Sequence, residues 1–110
     1  RVLERQGERF LKRVYTEGEQ EYCMHMKNPV PHLAARFAAK EAVSKCFTTG
    51  IGSSLGWKSI EVLKGEREQP LIQLDEKGSA LLKELGGREV LVSLSHTENY
   101  GLAFAVIVAS

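Results

Sequence analysis

The fold is organised around the stretch Arg36-Phe37-Ala38-Ala39-Lys40-Glu41-Ala42-Val43-Ser44-Lys45, which is followed closely by Thr49-Gly50-Ile51-Gly52. The first run predicts a helix, and its alanines let that helix pack closely against its neighbours. The glycine-rich segment predicts the turn that ends it. Glu41 and Lys45 are one helical turn apart and therefore project from the same side. A carboxylate and an ammonium group in this arrangement suit a divalent cation and a phosphate ester.

Two helices are predicted before this central one. Apolar residues from Val2 to Val14 follow a helical period, although Gly7 interrupts them and favours a loop or separate turn at the start. Thr16-Glu17-Gly18-Glu19 has the form of a capping box, which predicts a short second helix. The central helix is expected to begin at Pro31, because the fixed φ of proline suits a first turn, and to extend to Phe47.

The pattern changes from a helical period to alternation beyond Trp57. Alternation predicts strands. The predicted elements are strands over 60–62 and 71–74, a helix over 77–85 capped by Asp75, and strands over 90–96 and 102–108 joined by a turn around Glu98-Asn99. Helices first and strands later predict an α+β fold, with helices packed on an antiparallel sheet in one domain over 1–110.

Composition excludes several classes of protein. The net charge of +1 argues against a strongly basic nucleic-acid scaffold. Two widely separated cysteines do not suggest a disulfide framework or a zinc site, and reduced thiols fit a cytoplasmic protein. No apolar run approaches the ~20 residues that a membrane span needs. A domain this small would also gain stability from self-association.

Taken as single residues, the candidates leave alternatives open. Glu41 is either an exposed carboxylate paired with Lys45 or an oxygen ligand for Mg²⁺. His96, between Ser95 and Thr97 at a predicted strand end, is either structural or part of an anion site. The basic first segment is either a solvated helix face or a surface for an acidic protein.

Several segments, in this order, resemble the small holo-[acyl-carrier-protein] synthases, which are 4'-phosphopantetheinyl transferases. They are Arg13-Val14-Tyr15-Thr16, the run from Leu33 to Lys45, the Thr49–Gly52 turn, Ile60-Glu61-Val62 after Trp57, and Ser93-Leu94-Ser95-His96-Thr97. The resemblance covers nearly the whole chain. It implies transfer of the 4'-phosphopantetheine arm from coenzyme A to a serine of apo acyl carrier protein, with Mg²⁺, in support of fatty-acid synthesis.

The resemblance also assigns residues. It implies that Glu41 binds Mg²⁺ and that Lys45 contacts the pyrophosphate, so that both are catalytic. It places Arg36, His96 and Thr97 around the nucleotide phosphates of coenzyme A. Pro70 matches the proline of a Gly-x-Pro turn near the nucleotide, but Glu68 stands where that glycine is usual.

The resemblance implies partners as well. Acidic carrier proteins would dock on the basic first helix through Arg9 and Arg13, and family members of this length form homotrimers with active sites between subunits. The family's first strand, of Gly-x-Asp type, supplies a second metal carboxylate and would precede Arg1. Either the sequence is truncated before that strand, which we favour, or the chain has lost this ligand; in both cases the domain is expected to lack the strand.

Two other functions remain as alternatives. One is a non-catalytic module that binds coenzyme A or the carrier protein. The other is a small RNA-binding domain that uses the basic first helix, although no aromatic platform or RNA motif accompanies those charges.

Overall fold

The structure is a computed structural model that describes residues 2–47, 50–52, 55–96 and 101–110. Three helices come first: α1 (Val2–Val14), α2 (Glu17–Met24) and α3 (Pro29–Cys46). A 3₁₀ turn (Trp57–Ser59) then leads into β1 (Ile60–Lys64) and β2 (Pro70–Leu74), and α4 (Glu76–Glu84) connects these to β3 (Gly87–His96) and β4 (Gly101–Ala109). Within these residues the strands form two antiparallel hairpins, β1–β2 and β3–β4. The predicted α+β class is confirmed.

Side-chain caps set the starts of two helices, as predicted. At α2, Thr16 Oγ1 accepts a hydrogen bond from the Glu19 amide, and Glu19 Oε1 accepts one from the Thr16 amide at 2.9 Å. At α4, Asp75 Oδ1 accepts from the Gly78 amide at 2.9 Å. The central helix begins at Pro29, earlier than predicted, because Asn28 takes the capping position and a proline is tolerated in the first turn.

The predicted interruption of α1 at Gly7 is wrong, because the helix is continuous through it. A row of aromatic rings anchors the part of the helix that follows Gly7. The Phe10 ring lies 5.6 Å from the Phe37 ring of α3, and Phe37 stacks on Trp57 at 5.1 Å. This tertiary packing offsets the cost of one helical glycine, which is about 1 kcal/mol.

Helix α3 is the centre of the fold. One part of it joins the core, which consists of Val43, Phe47, Leu55, Ile60, Leu82 and Val90. The β3–β4 hairpin also packs on α3, and a Cβ atom at Gly101 would lie 2.5 Å from the Ala34 carbonyl oxygen. Because His96 pairs with Gly101, this close approach brings the His96 end of the hairpin to the first half of α3.

The turn predicted around Glu98-Asn99 lies outside the described residues. Both cysteines are free thiols, as expected. Of the helices that the structure describes, none is both long enough and apolar enough to span a bilayer.

Candidate active site

Helix α3 presents two of the predicted site residues to solvent. Glu41 and Lys45 are both exposed. In the described part of the chain no ion pair joins them, so the paired alternative considered from the sequence is not formed. The carboxylate and the ammonium group are therefore both open to a ligand.

Arg36 lies on the same helix but is buried. Its side chain is 7% exposed, and its Cζ atom lies 4.4 Å from the centroid of the Tyr22 ring, in cation–π contact. Burial raises the pKa of the neighbouring Cys23 thiol, and the Arg36 guanidinium opposes that rise. The Arg36 Nε has no hydrogen-bond partner within the described residues. Since nearly all buried polar groups are paired, a spare buried donor needs an explanation.

A cavity of about 210 Å³ lies beside Arg36. Arg36, His32 and Lys64 contribute basic groups to its lining, and Glu68 contributes a carboxylate. Lys64 Nζ donates a hydrogen bond to the Tyr22 hydroxyl at 2.7 Å. This hydrogen bond raises the pKa of Lys64, and a second one, to the Glu68 carboxylate, raises it further. Buried and half-exposed cations around one cavity are the donors that phosphate groups prefer.

Of the predicted residues His96 and Thr97, the structure describes only the backbone of His96. Leu94 lines the cavity, and His96 follows two residues later at the end of β3. Its pairing with Gly101 sets this end of the strand against Ala34, two residues before Arg36. The side chain of His96 and the whole of Thr97 lie outside what the structure describes, so their roles stay predictions.

A buried polar network beneath α3 was missed by the sequence analysis. Lys40 is fully buried, and its Nζ lies 2.7 Å from Glu19 Oε1. The same ammonium group donates to the carbonyl oxygens of Trp57 and Ile60. Burial lowers the pKa of Lys40, and the Glu19 carboxylate opposes that fall. Three acceptors around one nitrogen match the three donors of a charged lysine.

The Glu19 carboxylate connects the network to β1, and the Thr16 cap of α2 makes a second connection to the same strand. Its Oε2 accepts from the Val62 amide at 2.7 Å. Thr16 Oγ1 donates to Glu61 Oε2 at 2.6 Å while capping α2. The capping box was visible in the sequence, but its link to Lys40 was not, because spacing does not reveal which lysine a distant carboxylate meets. The network fixes α3, and so fixes the position of Glu41.

Glu41 is the candidate metal ligand among the residues that the structure describes. Within residues 2–47, 50–52, 55–96 and 101–110, no group of three or more His, Cys, Asp or Glu side chains is arranged to hold one. Mg²⁺, however, often binds through one or two carboxylates together with waters and substrate phosphates. An exposed, unpaired carboxylate such as Glu41 fits that mode of binding.

The basic face of α1 is available to a partner. Arg9 and Arg13 are exposed and four residues apart, so they lie on the same side of the helix. Neither forms an ion pair with a side chain that the structure describes. Phe10, beside them, is 38% exposed.

Comparison with known proteins identifies the family. Residues 1–105 match the model of the 4'-phosphopantetheinyl transferase superfamily. The holo-[acyl-carrier-protein] synthase of Chlamydia trachomatis serovar D is 51% identical over 100 residues, covering 91% of this chain and 81% of its own length.

Solved structures agree in fold. The holo-[acyl-carrier-protein] synthase of Neisseria meningitidis superposes with a TM-score of 0.87 at 32% identity, covering 96% of this chain and 85% of that one. The Helicobacter pylori synthase, solved in complex with coenzyme A, has a TM-score of 0.81 at 27% identity, covering 96% and 87%. This chain therefore belongs to the holo-[acyl-carrier-protein] synthases of the 4'-phosphopantetheinyl transferase superfamily.

Proposed function

We propose that this chain transfers the 4'-phosphopantetheine group of coenzyme A to a serine of apo acyl carrier protein, in a Mg²⁺-dependent cytoplasmic step that supports fatty-acid synthesis. One observation carries the proposal: α3 holds the buried Arg36 at a cationic cavity and, on its exposed side, the unpaired Glu41 and Lys45. Such a helix suits a donor with both a phosphorylated nucleotide end and a pyrophosphate. The similarity to a synthase solved with coenzyme A supports the same assignment.

The nucleotide end of the donor is assigned to the Arg36 cavity. Arg36 and Lys64 bind its phosphate oxygens, because both are cations that line the cavity. His96 and Thr97 approach the same phosphates from the end of β3. Tyr22 holds both cations in place, since the Arg36 guanidinium and Lys64 Nζ lie 4.4 and 5.3 Å from its ring centroid.

The reacting end is assigned to Glu41 and Lys45. Glu41 would hold Mg²⁺, which would supply positive charge to the pyrophosphate. Lys45 offsets the charge that builds up on the leaving group. The serine oxygen forms a bond to the β-phosphorus as the bond to adenosine 3',5'-bisphosphate breaks, and the serine proton leaves to a carboxylate or to water. Catalysis of this type rests mainly on positioning and charge stabilisation.

A homotrimer with shared sites is part of the proposal. Leu102, Phe104 and Val106 on one face of β4 are 56, 69 and 57% exposed. Leu91, paired with Val106 across the hairpin, is 50% exposed on the same face. A contiguous apolar face of this kind marks an association surface. Sedimentation velocity tests it directly, and a monomer at micromolar concentrations would contradict it.

Carrier-protein docking is assigned to Arg9 and Arg13. Exposed charges at the edge of an interface chiefly affect the association rate and its salt dependence. Stopped-flow association with apo acyl carrier protein measures both quantities. Charge reversal at Arg13 that leaves the rate unchanged at low salt would contradict this assignment.

The decisive experiment follows the mass of apo acyl carrier protein incubated with this chain, coenzyme A and Mg²⁺. We expect a gain of one phosphopantetheine group, abolished by EDTA. Glu41→Gln keeps the size of the side chain but removes the metal-binding charge, and should reduce the rate at least 100-fold, which corresponds to about 2.7 kcal/mol of barrier. Glu84→Gln, on the exposed surface of α4, is the matched control and should transfer normally.

The outcomes separate the enzyme from the non-catalytic module. Transfer that is lost in Glu41→Gln, with carrier-protein docking retained, supports the enzyme. Coenzyme A binding without any transfer by the natural chain would support the binding module. Equal rates for Glu41→Gln and Glu84→Gln would overturn the role of Glu41.

A further inference from the structure

The turn between β1 and β2 holds a residue in a backbone conformation that glycine adopts far more readily. Glu68 has φ = +64°, in the left-handed region, where the Cβ atom of other residues meets steric resistance. The Glu68 amide donates to the Gly65 carbonyl at 2.9 Å, which fixes this geometry within the turn. A carboxylate therefore occupies a position that the backbone alone would give to glycine.

Packing does not explain the presence of Glu68. Its side chain is 81% exposed, and its polar side-chain contact within the described residues is with Lys64 Nζ at 3.3 Å. Exposed pairs of this kind contribute little to stability. The side chain nevertheless lines the cavity beside Arg36, where the other charged groups of the lining, Arg36 and Lys64, are cations.

Lys64 joins Glu68 to the proposed phosphate site. Its Nζ donates to the Tyr22 hydroxyl at 2.7 Å and is paired with Glu68, while Tyr22 stacks against Arg36. A phosphate group that enters this cavity must compete with Glu68 for Lys64. It must also lie close to the Glu68 carboxylate, which repels it.

We propose that the Glu68 carboxylate competes with the phosphate groups of the ligand for Lys64. It holds Lys64 when the cavity is empty, lowers the affinity of the cavity for the polyanionic nucleotide end of coenzyme A, and so speeds release of the bisphosphate product. Release of product limits the turnover of many enzymes, so weaker binding here favours turnover. The inference rests on the proposed function, because it takes the nucleotide as the ligand of this cavity.

The test measures binding of adenosine 3',5'-bisphosphate by titration calorimetry to the natural chain and three variants. Glu68→Gln removes the charge but leaves a side chain in the left-handed conformation, whereas Glu68→Gly removes the charge and also the steric cost of that conformation. Glu66→Gln is the matched control, because it removes an exposed charge from the same turn at a residue outside the cavity lining.

We expect Glu68→Gln and Glu68→Gly each to bind the bisphosphate about 3- to 10-fold more tightly at low salt. The gain should shrink in 0.5 M salt, where charge interactions are screened over a few ångströms. Product inhibition by the bisphosphate in the transfer assay should strengthen by the same factor. Glu68→Gly alone should also raise Tm, by roughly 4 °C, because it relieves the backbone.

Three results would overturn the inference. Unchanged affinity in both Glu68 variants would show that the carboxylate does not compete. Tighter binding in Glu68→Gly without Glu68→Gln would assign the effect to the backbone and not to the charge. An equal gain in Glu66→Gln would assign it to the net charge of the turn.

A separate result distinguishes failure of the proposed function. If neither the natural chain nor any Glu68 variant binds the bisphosphate, the nucleotide assignment of the cavity is wrong, and the inference falls with it. Binding by both Glu68 variants, but not by the natural chain, would support the function and the inference together.

Discussion

Lys40 and Arg36 are two buried cations one helical turn apart on the same side of α3, but their hydrogen-bond donors are satisfied to different extents. The ammonium group of Lys40 meets a carboxylate and two carbonyl oxygens, one for each of its donors. The guanidinium of Arg36 stacks on Tyr22 and keeps Nε unpaired within the described residues. Burial alone therefore does not distinguish a binding residue from a structural one. The binding candidate is the buried cation that has an unpaired donor and lines a cavity.

The largest expected effect comes from removing Lys40, the cation whose three donors all have partners. Lys40→Met should destabilise the fold by about 3–5 kcal/mol, because it leaves the Glu19 carboxylate buried without its counter-charge. Urea unfolding measures the loss. Lys77→Met, at an exposed lysine of α4, is the control and should change stability by less than 0.5 kcal/mol, as surface substitutions usually do.

The pairing itself is tested by a double-mutant cycle. Glu19→Met combined with Lys40→Met should cost less than the sum of the single changes, since the double variant leaves no unpaired charge. A loss below about 1 kcal/mol in Lys40→Met would show that the ammonium group is not needed for the fold.

The next largest effect comes from removing the Arg36 guanidinium. Arg36→Met keeps much of the contact with Tyr22 but removes the charge and all donors, so binding of adenosine 3',5'-bisphosphate should weaken by about 10- to 100-fold, or 1.4–2.8 kcal/mol. Its loss of stability should be smaller than that of Lys40→Met. Calorimetric titration and urea unfolding of the same samples give the two quantities.

Arg67→Met is the matched control, because Arg67 is an exposed arginine of the β1–β2 turn outside the cavity lining. It should bind the bisphosphate as the natural chain does. If Arg36→Met instead loses stability on the scale of Lys40→Met and keeps its affinity, the two cations are alike and the contrast between them disappears.

The same contrast explains what the sequence could and could not predict. Local signals were enough for the starts of α2 and α4, since the Thr16–Glu19 box and the Asp75 cap act over three residues. The family resemblance selected Glu41, Lys45 and Arg36 as candidates, and their roles stay predictions. It did not distinguish Arg36 from Lys40 by role, because that difference depends on Glu19 and the Ile60 carbonyl, which are distant in sequence.

Failures of the sequence analysis have the same origin. Gly7 was expected to interrupt α1 because helix propensity is local, whereas the contact of Phe10 with Phe37 that holds the helix is not. Glu68 was recognised as a departure from the family's glycine. Its left-handed backbone and its place in the lining of the Arg36 cavity required the structure.

The smallest expected effect concerns Thr16, and it measures whether the polar network around Lys40 includes the bond from Thr16 to Glu61. Thr16 caps α2 and also donates to Glu61 at 2.6 Å, so Thr16→Ala should cost about 1–2 kcal/mol and Thr16→Ser almost nothing. Asp75→Ala is the matched control, because Asp75 is an exposed cap whose side chain accepts from the Gly78 amide, and it should cost about 0.5–1 kcal/mol. If the two alanine variants lose equal stability by urea unfolding, the Thr16–Glu61 bond adds nothing to the cap, and the network around Lys40 gains no stability from Glu61.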